Sequence, residues 1–314
     1  MSACRDILER IAGPVVCLPV LYREDSALDY EAMEEYAAWV AAAGIRCACF
    51  TYGYSHLEYI TSAENLEATR RCARVFAGRP LLLGSTRGEV ADAPRAVEEL
   101  CEAGADAVFV MPSWLMTADD SARADRLYVR QLERVAALTR APILMNGFGT
   151  QGKPGVPMVP PEAIEPLIQR ENFIGLKDDV NNDAYRAELI RRYGGRLAMI
   201  GGGHRRRLVE FFGHPLQGEL DGYFAPRQAL RMEQMLREGR KDEALAMIEH
   251  IDRVMEQIPS DLFWPVQTNL VMYAMGFART PHVRPPLRSP SRQQVEQTIA
   301  VVRANPEVFE PRAG

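Results

Sequence analysis

The chain has 314 residues, a net charge of -5, 47% hydrophobic residues and 25% charged residues, which is an ordinary composition for a soluble globular protein. This balance argues against a nucleic-acid-binding protein, because the arginine clusters at 70–71 and 205–207 are too short to create a basic surface. No apolar run approaches the roughly 20 residues that span a bilayer, and the N-terminus lacks a signal-peptide pattern. We therefore expect a cytoplasmic protein without a membrane partner.

The cysteines and histidines give no sign of a metal site or a disulfide framework. None of the six cysteines forms a Cys-x-x-Cys pair, and the five histidines show no metal-binding spacing. Cys47 and Cys49 alternate within a strand-like run, so both thiols should point to one face. We expect reduced, mostly buried thiols.

Short apolar runs alternate with longer amphipathic segments along most of the chain. The apolar runs predict eight strands, at 15–21, 46–51, 80–84, 107–111, 142–146, 173–177, 197–201 and 218–223. The amphipathic segments predict helices at 30–43, 63–76, 94–103, 126–139, 161–170, 183–193, 205–212 and 226–237.

This alternation predicts parallel β-α-β units. Eight units over about 225 residues favour a closed (β/α)8 TIM barrel. A doubly wound nucleotide-binding fold is the alternative, but no G-x-G-x-x-G follows the first strand and no P-loop motif occurs. The alternation ends near residue 238, after which helices are predicted at 241–257, 261–275 and 291–304. We expect a barrel over 1–238 and a C-terminal helical domain, a three-helix appendage, over 239–314.

Lys177 is one of three lysines in the chain and ends the apolar run 173–177. Arginine stays protonated, whereas a buried lysine can lose its proton and attack a carbonyl group. A lysine at the C-terminal end of a buried strand is therefore a candidate Schiff-base nucleophile. The alternative is a lysine that extends from the strand end to pair with Asp178 or Asp179.

In a TIM barrel the active site lies at the C-terminal ends of the strands. One lysine among hydroxyls, amides and aromatic rings suits carbonyl chemistry, whereas a metal site would need clustered carboxylates. Burial there would favour the neutral amine. The residues that follow the predicted strands are Tyr52, Gly53, Tyr54, Ser55, His56, Ser85, Thr86, Arg87, Ser113, Trp114, Asn146, Phe148, Thr150, Lys177, Asp178, Gly202, His204 and Tyr223.

Seven short motifs extend this interpretation, and they cover nearly the whole chain. They are DYE (29–31), ITSAE (60–64), EAGADA (102–107), MPSW (111–114), PILMN (142–146), IGLKD (174–178) and VRPPL (283–287). In their order and spacing the chain resembles the dihydrodipicolinate synthase/N-acetylneuraminate lyase family of class I Schiff-base lyases. The Lys177-Asp178 pair and Gly201-Gly202 are most similar to the 5-dehydro-4-deoxyglucarate dehydratase branch.

The resemblance implies that Lys177 forms an imine with a 2-oxo acid substrate such as pyruvate. It implies no cofactor and no metal, because the imine itself serves as the electron sink. It also implies a homotetramer, built as a dimer of dimers.

Four departures from the family pattern argue against an authentic dihydrodipicolinate synthase. Met145 stands where the family has its catalytic tyrosine, and methionine cannot relay a proton. The carboxylate-binding loop of the family aligns with 52–56. The tyrosine that a neighbouring subunit supplies aligns with Trp114 or Ser113, and the substrate-binding arginine falls near Thr150.

The replacement for the missing tyrosine stays open at this point. Tyr52, Tyr54 or His56 can supply an acid–base group, but each is also a plausible packing or loop-structuring residue. The substrate carboxylate can be held by Ser55 with backbone amides, by His204, or by Arg87. The predicted substrate-binding residues are Ser55, Ser113, Trp114, Met145, Asn146, Thr150, Gly202 and His204.

Two reactions and one non-enzymatic role remain as alternatives. The aromatic loop 52–59 and Trp114 favour aldolase or hydratase-aldolase chemistry on a bulky apolar substrate. The Lys-Asp pair favours dehydration of a sugar acid. The remaining alternative is a catalytically altered barrel that serves as a ligand-binding or regulatory protein.

Overall fold

The computed structural model describes residues 3–51, 53–112, 121–147, 159–180, 182–203, 205–214, 217–220 and 225–312. The strands are β1 (Gly13–Cys17), β2 (Cys47–Cys49), β3 (Leu81–Ser85), β4 (Ala107–Val110), β5 (Ile143–Asn146), β6 (Phe173–Asp178), β7 (Ala198–Gly201) and β8 (Gln217–Leu220). The helices are α1 (Ala3–Arg10), α2 (Tyr30–Ala42), α3 (Ser62–Phe76), α4 (Ala93–Glu102), α5 (Ser121–Leu138), α6 (Glu165–Ile168), α7 (Asp183–Tyr193), α8 (Arg206–Glu210), α9 (Pro226–Arg237), α10 (Lys241–Met255), α11 (Trp264–Ala274), α12 (Arg292–Ala304) and α13 (Pro306–Phe309).

The eight strands form a closed parallel barrel, so the predicted (β/α)8 fold is confirmed. Each strand pairs with the next in chain order, and β8 pairs with β1. The apolar runs arise because both faces of each strand are covered, one by the barrel interior and the other by helices. The predicted last residues of the eighth strand, from 221 onward, lie outside the described residues.

Alternate residues of β4 to β7 belong to two different packing clusters. Phe109, Leu144 and Ile200 face the barrel interior and belong to the larger cluster, which also includes residues of β1 to β3, α2, α3 and the C-terminal helices. Val110 and Met145 pack in the second cluster, between the strands and helices such as α4 and α5. This alternation decides which side chains can reach an active site inside the barrel.

Three regions differ most from the predicted elements. The first strand ends at Cys17, four residues before its predicted end at Leu21. Helix α1 precedes the first strand and was not predicted. The predicted helix 161–170 is a 3-10 turn at Pro161–Ile164 followed by the single-turn α6. Proline cannot donate a helical hydrogen bond, and Pro166 is the second residue of α6, so the two short pieces replace one continuous helix.

Beyond the barrel, α10, α11 and α12 match the three predicted C-terminal helices, and α13 adds one further turn. The residues after α11 pack on α2, where the ring of Phe277 lies 5.2 Å from Tyr36 and 4.9 Å from Trp39. Within the described ranges, no helix is both long and apolar enough to cross a membrane. The boundary near residue 238 stays a prediction.

Arg284, from the VRPPL motif, joins this C-terminal region to the barrel loops by hydrogen bonds. Its guanidinium donates to both carboxylate oxygens of Glu64 at 2.7 and 2.9 Å. It also donates to the carbonyls of Ser26 and Tyr59 at 2.8 to 3.0 Å. Hydrogen bonds from Arg284 lower the pKa of Glu64 to about 2. This set of hydrogen bonds needs a guanidinium, because its three nitrogens donate in a fixed plane and a lysine amine cannot reach all of these acceptors.

We expect Arg284→Ala to lower the free energy of unfolding by about 2–3 kcal/mol. The substitution removes the charged donor that the Glu64 carboxylate and the carbonyls of Ser26 and Tyr59 share. Arg284→Lys should recover less than half of the loss. Urea unfolding at pH 7 measures both values. Arg288→Ala, at an exposed arginine four residues away, is the matched control and should match the parent protein. Equal stability of Arg284→Ala and the control would contradict the assigned role.

Candidate active site

Lys177 lies near the C-terminal end of β6, and its side chain is turned into the barrel. It pairs in register with Asn146 of β5 and Ile200 of β7. Register partners on parallel strands share a face, and Ile200 faces inward because its neighbour Met199 packs with the helices. Lys177 is 7% exposed, so its amine is almost fully withdrawn from water.

A β-bulge gives Lys177 this orientation. Ile143 of β5 pairs with Phe173, but the next residue, Leu144, pairs with Gly175. The extra residue on β6 shifts the alternation by one, so Leu176 faces the helices and Lys177 faces inward. Without the bulge, the amine would point away from the barrel interior.

The Lys177 Nζ forms an ion pair with Asp179 Oδ2 that is largely, but not fully, buried. The contact with an aspartate was expected if the lysine extended toward solvent, but here both side chains are nearly buried. Gly202 makes room for this carboxylate, because a Cβ at residue 202 would overlap with Asp179 Oδ1. Gly202 therefore contributes to the site because it has no side chain, which leaves room for the Asp179 carboxylate. This role differs from the predicted contact between Gly202 and the substrate.

A second buried network fixes the end of β6 on the outer side of the barrel. Asp178 Oδ2 accepts from Arg186 Nε at 2.9 Å and from the Arg207 guanidinium at 3.2 Å. Arg186 also donates to the carbonyl oxygens of Asp178 and Gly202 at 3.2 Å. The network ties the ends of β6 and β7 together, and this holds residue 179 over Gly202.

The thiols of Cys17 and Cys49 lie on the inner side, near the Lys177 amine. Cys17 and Cys49 are register partners on β1 and β2, and Cys49 interacts electrostatically with Lys177. Burial raises the pKa of the Cys49 thiol well above its usual value, so this thiol stays protonated. The expected alignment of Cys47 and Cys49 on one face agrees with their register partners, Val15 and Cys17.

Met145 does not line this site. Its side chain is fully buried in the cluster between the barrel and helices. Asn146, the next residue, has the inward position beside Lys177, and its backbone N–H donates to the Tyr128 hydroxyl at 2.8 Å. The alternation of side chains along β5 thus argues against the predicted contact between Met145 and the substrate. It allows the predicted contact between Asn146 and the substrate.

Ser55 and His56 organise the loop after β2. Ser55 Oγ donates to the Leu18 carbonyl and accepts from the Thr51 N–H, both at 2.8 Å. His56 is 1% exposed, with Nδ1 3.1 Å from the Tyr22 hydroxyl and Nε2 3.1 Å from the Pro265 carbonyl. Burial lowers the pKa of His56 to about 4. These contacts favour the loop-structuring interpretation of both residues over acid–base or carboxylate-binding roles.

The Tyr54 ring packs against Trp264, at the start of α11. The two ring centroids are 4.8 Å apart in an edge-on arrangement. The Trp264 ring occupies the space that a side chain at Gly53 would need. Tyr54 therefore joins the loop to the C-terminal helices, which favours the packing interpretation of this tyrosine.

The guanidinium of Arg87 bonds to the same loop. Its Nε donates to the Leu57 carbonyl at 2.9 Å, and a terminal nitrogen lies 3.2 Å from Ser62 Oγ. A role in holding the substrate carboxylate would need these bonds to break. Five further predicted site residues lie outside the described residues: Tyr52, Ser113, Trp114, Thr150 and His204.

Comparisons with known proteins identify the family of the chain. The model of the Dihydrodipicolinate synthetase family matches residues 10–305. The chain belongs to this family. Its members include lyases and dehydratases, and a probable 5-dehydro-4-deoxyglucarate dehydratase 1 of Streptomyces coelicolor is 23% identical over 96% of both chains. A 4-hydroxy-tetrahydrodipicolinate synthase of Psychrobacter arcticus is 23% identical over 64% of both chains.

Solved structures of the family show the same fold. Dihydrodipicolinate synthase from Bacteroides thetaiotaomicron gives a TM-score of 0.79 at 14% identity, covering 93% of this chain and 98% of that one. The Acinetobacter baumannii dihydrodipicolinate synthase, complexed with pyruvate, gives 0.76 at 17% identity with the same coverage. The predicted family and fold are therefore confirmed.

The sequence offered Asp178 and Asp179 equally as partners of Lys177 and gave no role to Arg186 or Arg207. The Lys-Asp-Asp run was a local signal for Asp179, but two adjacent aspartates point to opposite faces of a strand, and the run does not say which one faces the lysine. The two arginines gave no signal, since each lies on a helix among other arginines. Tyr22 and Trp264 were missed because their contacts join distant parts of the chain.

Stability should depend on pH through His56. Its pKa is about 4 in the folded protein, below the usual 6.5, so the unfolded chain binds the proton first. The stabilisation is full above pH 6.5 and is lost as pH falls toward 4, by about 3 kcal/mol. Urea unfolding between pH 7.5 and 4 should show this loss in the parent protein and not in His56→Gln. An identical pH dependence in both proteins would contradict a buried structural histidine.

Proposed function

We propose that the protein is a class I lyase that uses Lys177 to form an imine with a 2-oxo acid. The observation that carries the proposal is the buried Lys177 amine, turned into the barrel by the bulge in β6. A buried amine at the C-terminal end of a barrel strand is where carbonyl chemistry is expected. Membership of a family of lyases and dehydratases supports the proposal.

The chemistry follows from the amine. Lys177 Nζ attacks the ketone carbon, water leaves, and the protonated imine withdraws electrons from the neighbouring carbons. In a dehydration, the carbon next to the imine loses a proton, and the hydroxyl group on the following carbon then leaves as water. In an aldol cleavage, that hydroxyl group loses its proton instead, the bond between the two carbons breaks, and an aldehyde leaves. The enamine that remains is protonated, and water releases the acid from Lys177. Cleavage of the carbon–carbon bond releases pyruvate or a related acid, whereas loss of the hydroxyl releases water.

Dehydration of a sugar acid is the reaction to test first. The probable 5-dehydro-4-deoxyglucarate dehydratase of Streptomyces coelicolor is similar over nearly its whole length. The packing of Tyr54 on Trp264 also weakens the case for an apolar substrate, because this ring is committed to a protein contact. Authentic 4-hydroxy-tetrahydrodipicolinate synthase activity is not proposed, since Met145 stands at the tyrosine position and faces away from Lys177.

Reductive trapping tests the proposal. The protein is incubated with pyruvate, with 5-dehydro-4-deoxyglucarate, or with larger 2-oxo acids, and is then treated with cyanoborohydride. We expect a mass increase on the Lys177 peptide, because an imine is reduced to a stable secondary amine. Peptide mass spectrometry locates the adduct, and the acid that traps fastest indicates the substrate class.

Two lysine variants provide the controls. Lys177→Arg should give no adduct, because arginine cannot form the imine. Lys241→Arg, at an exposed lysine that begins α10, should trap like the parent protein. If the folded parent protein forms no adduct with any acid, the lyase proposal fails, and a barrel that binds ligands without catalysis becomes the better interpretation.

A further inference from the structure

We propose that Asp179 is the acid–base residue of imine formation and takes over proton transfer in a chain that has methionine at the tyrosine position of its family. The carboxylate contacts the reacting amine directly, through Oδ2 and Lys177 Nζ. This inference rests on the proposed function, because it assigns a role within the same site.

The position of the carboxylate is built into the fold. The buried Asp178–Arg186–Arg207 network fixes the backbone immediately before residue 179. Gly202 then leaves space for Asp179 Oδ1 that even a methyl group would fill. An ion pair at a flexible surface needs no such support, whereas a preorganised carboxylate beside a nucleophile suits catalysis.

The other titratable groups near the pair are less suited to proton transfer. On the outer side of β6, Asp178 is bound by Arg186 and Arg207. On the inner side, the thiol of Cys49 stays protonated, and Cys17 is its hydrogen-bonding partner. Among the described residues around the amine, Asp179 is therefore the best-placed proton acceptor.

The proton balance of the step closes on Asp179. The carboxylate takes a proton from the Lys177 ammonium, the neutral amine forms the N–C bond, and the proton is returned to the former carbonyl oxygen. Asp179 then takes a second proton from the same nitrogen and gives it to the hydroxyl group. The C–O bond breaks, water leaves, and one proton stays on the iminium nitrogen. Asp179 ends as a carboxylate beside that cation.

Two variants remove the carboxylate in different ways. Asp179→Asn keeps the shape but cannot accept a proton, and Gly202→Ala displaces the carboxylate without changing it chemically. The matched control for the glycine is Gly195→Ala, at an exposed turn where the added methyl group meets open space. The matched control for the aspartate is Asp242→Asn, at an exposed position in the first turn of α10.

The measurement is the rate of cyanoborohydride trapping on Lys177 from pH 5 to 10, with the 2-oxo acid that traps fastest. We expect Asp179→Asn to be about 100-fold slower at pH 7, in the range of general acid–base catalysis. The defect should shrink as pH rises, because hydroxide then removes the ammonium proton. Gly202→Ala should be slowed in the same pH-dependent way, and both controls should match the parent.

Each outcome decides between the proposals. If the parent protein traps and folded Asp179→Asn matches it in rate and pH profile, Asp179 has no acid–base role while the lyase proposal stands. A slower Asp179→Asn with an unchanged pH profile would show a structural role and would also overturn the inference. If the parent protein traps nothing, the proposed function fails first, and the role of Asp179 fails with it.

Discussion

The buried Asp178 carboxylate is the constraint on which the candidate site depends. Bringing this charge and those of Arg186 and Arg207 into the interior is costly, and such networks rarely add stability over apolar packing. In this protein the network of Asp178, Arg186 and Arg207 joins the ends of β6 and β7 and fixes the backbone around residue 179. Together with the bulge in β6, which turns Lys177 inward, it brings an amine and a carboxylate together inside the barrel.

In the loop after β2, residue types that are often catalytic have a structural role instead. Ser55 and His56 are residue types that often take part in catalysis. Here Ser55 is bonded to Leu18 and Thr51, and His56 is bonded to Tyr22 and Pro265. The contacts with Pro265 and Trp264 join the barrel loop to α11. The C-terminal helices therefore shape one wall near the strand ends, although they contribute no residue to the β/α alternation.

Local patterns predicted most of the fold, because few folds other than a (β/α)8 barrel accommodate eight apolar runs separated by amphipathic segments. Lys177 was predictable from its rarity and from its place at the end of such a run. The orientation of neighbouring residues was harder, since it depends on register: the bulge opposite Ile143 decides that Lys177 faces inward, and no sequence pattern marks it. His56 was ambiguous for another reason, because its partner Pro265 lies 209 residues further along the chain.

If Asp179 handles the protons, the nucleophile and its acid–base group lie two residues apart on one strand end. Both are then positioned by the same buried network, so neither depends on the closure of a loop or on a residue from a second subunit. The loss of a proton-relaying side chain at Met145 is tolerable in such an arrangement. Asn146 holds the inward position beside Lys177 on β5, and an amide there can orient a substrate by hydrogen bonding but cannot exchange protons with it at neutral pH.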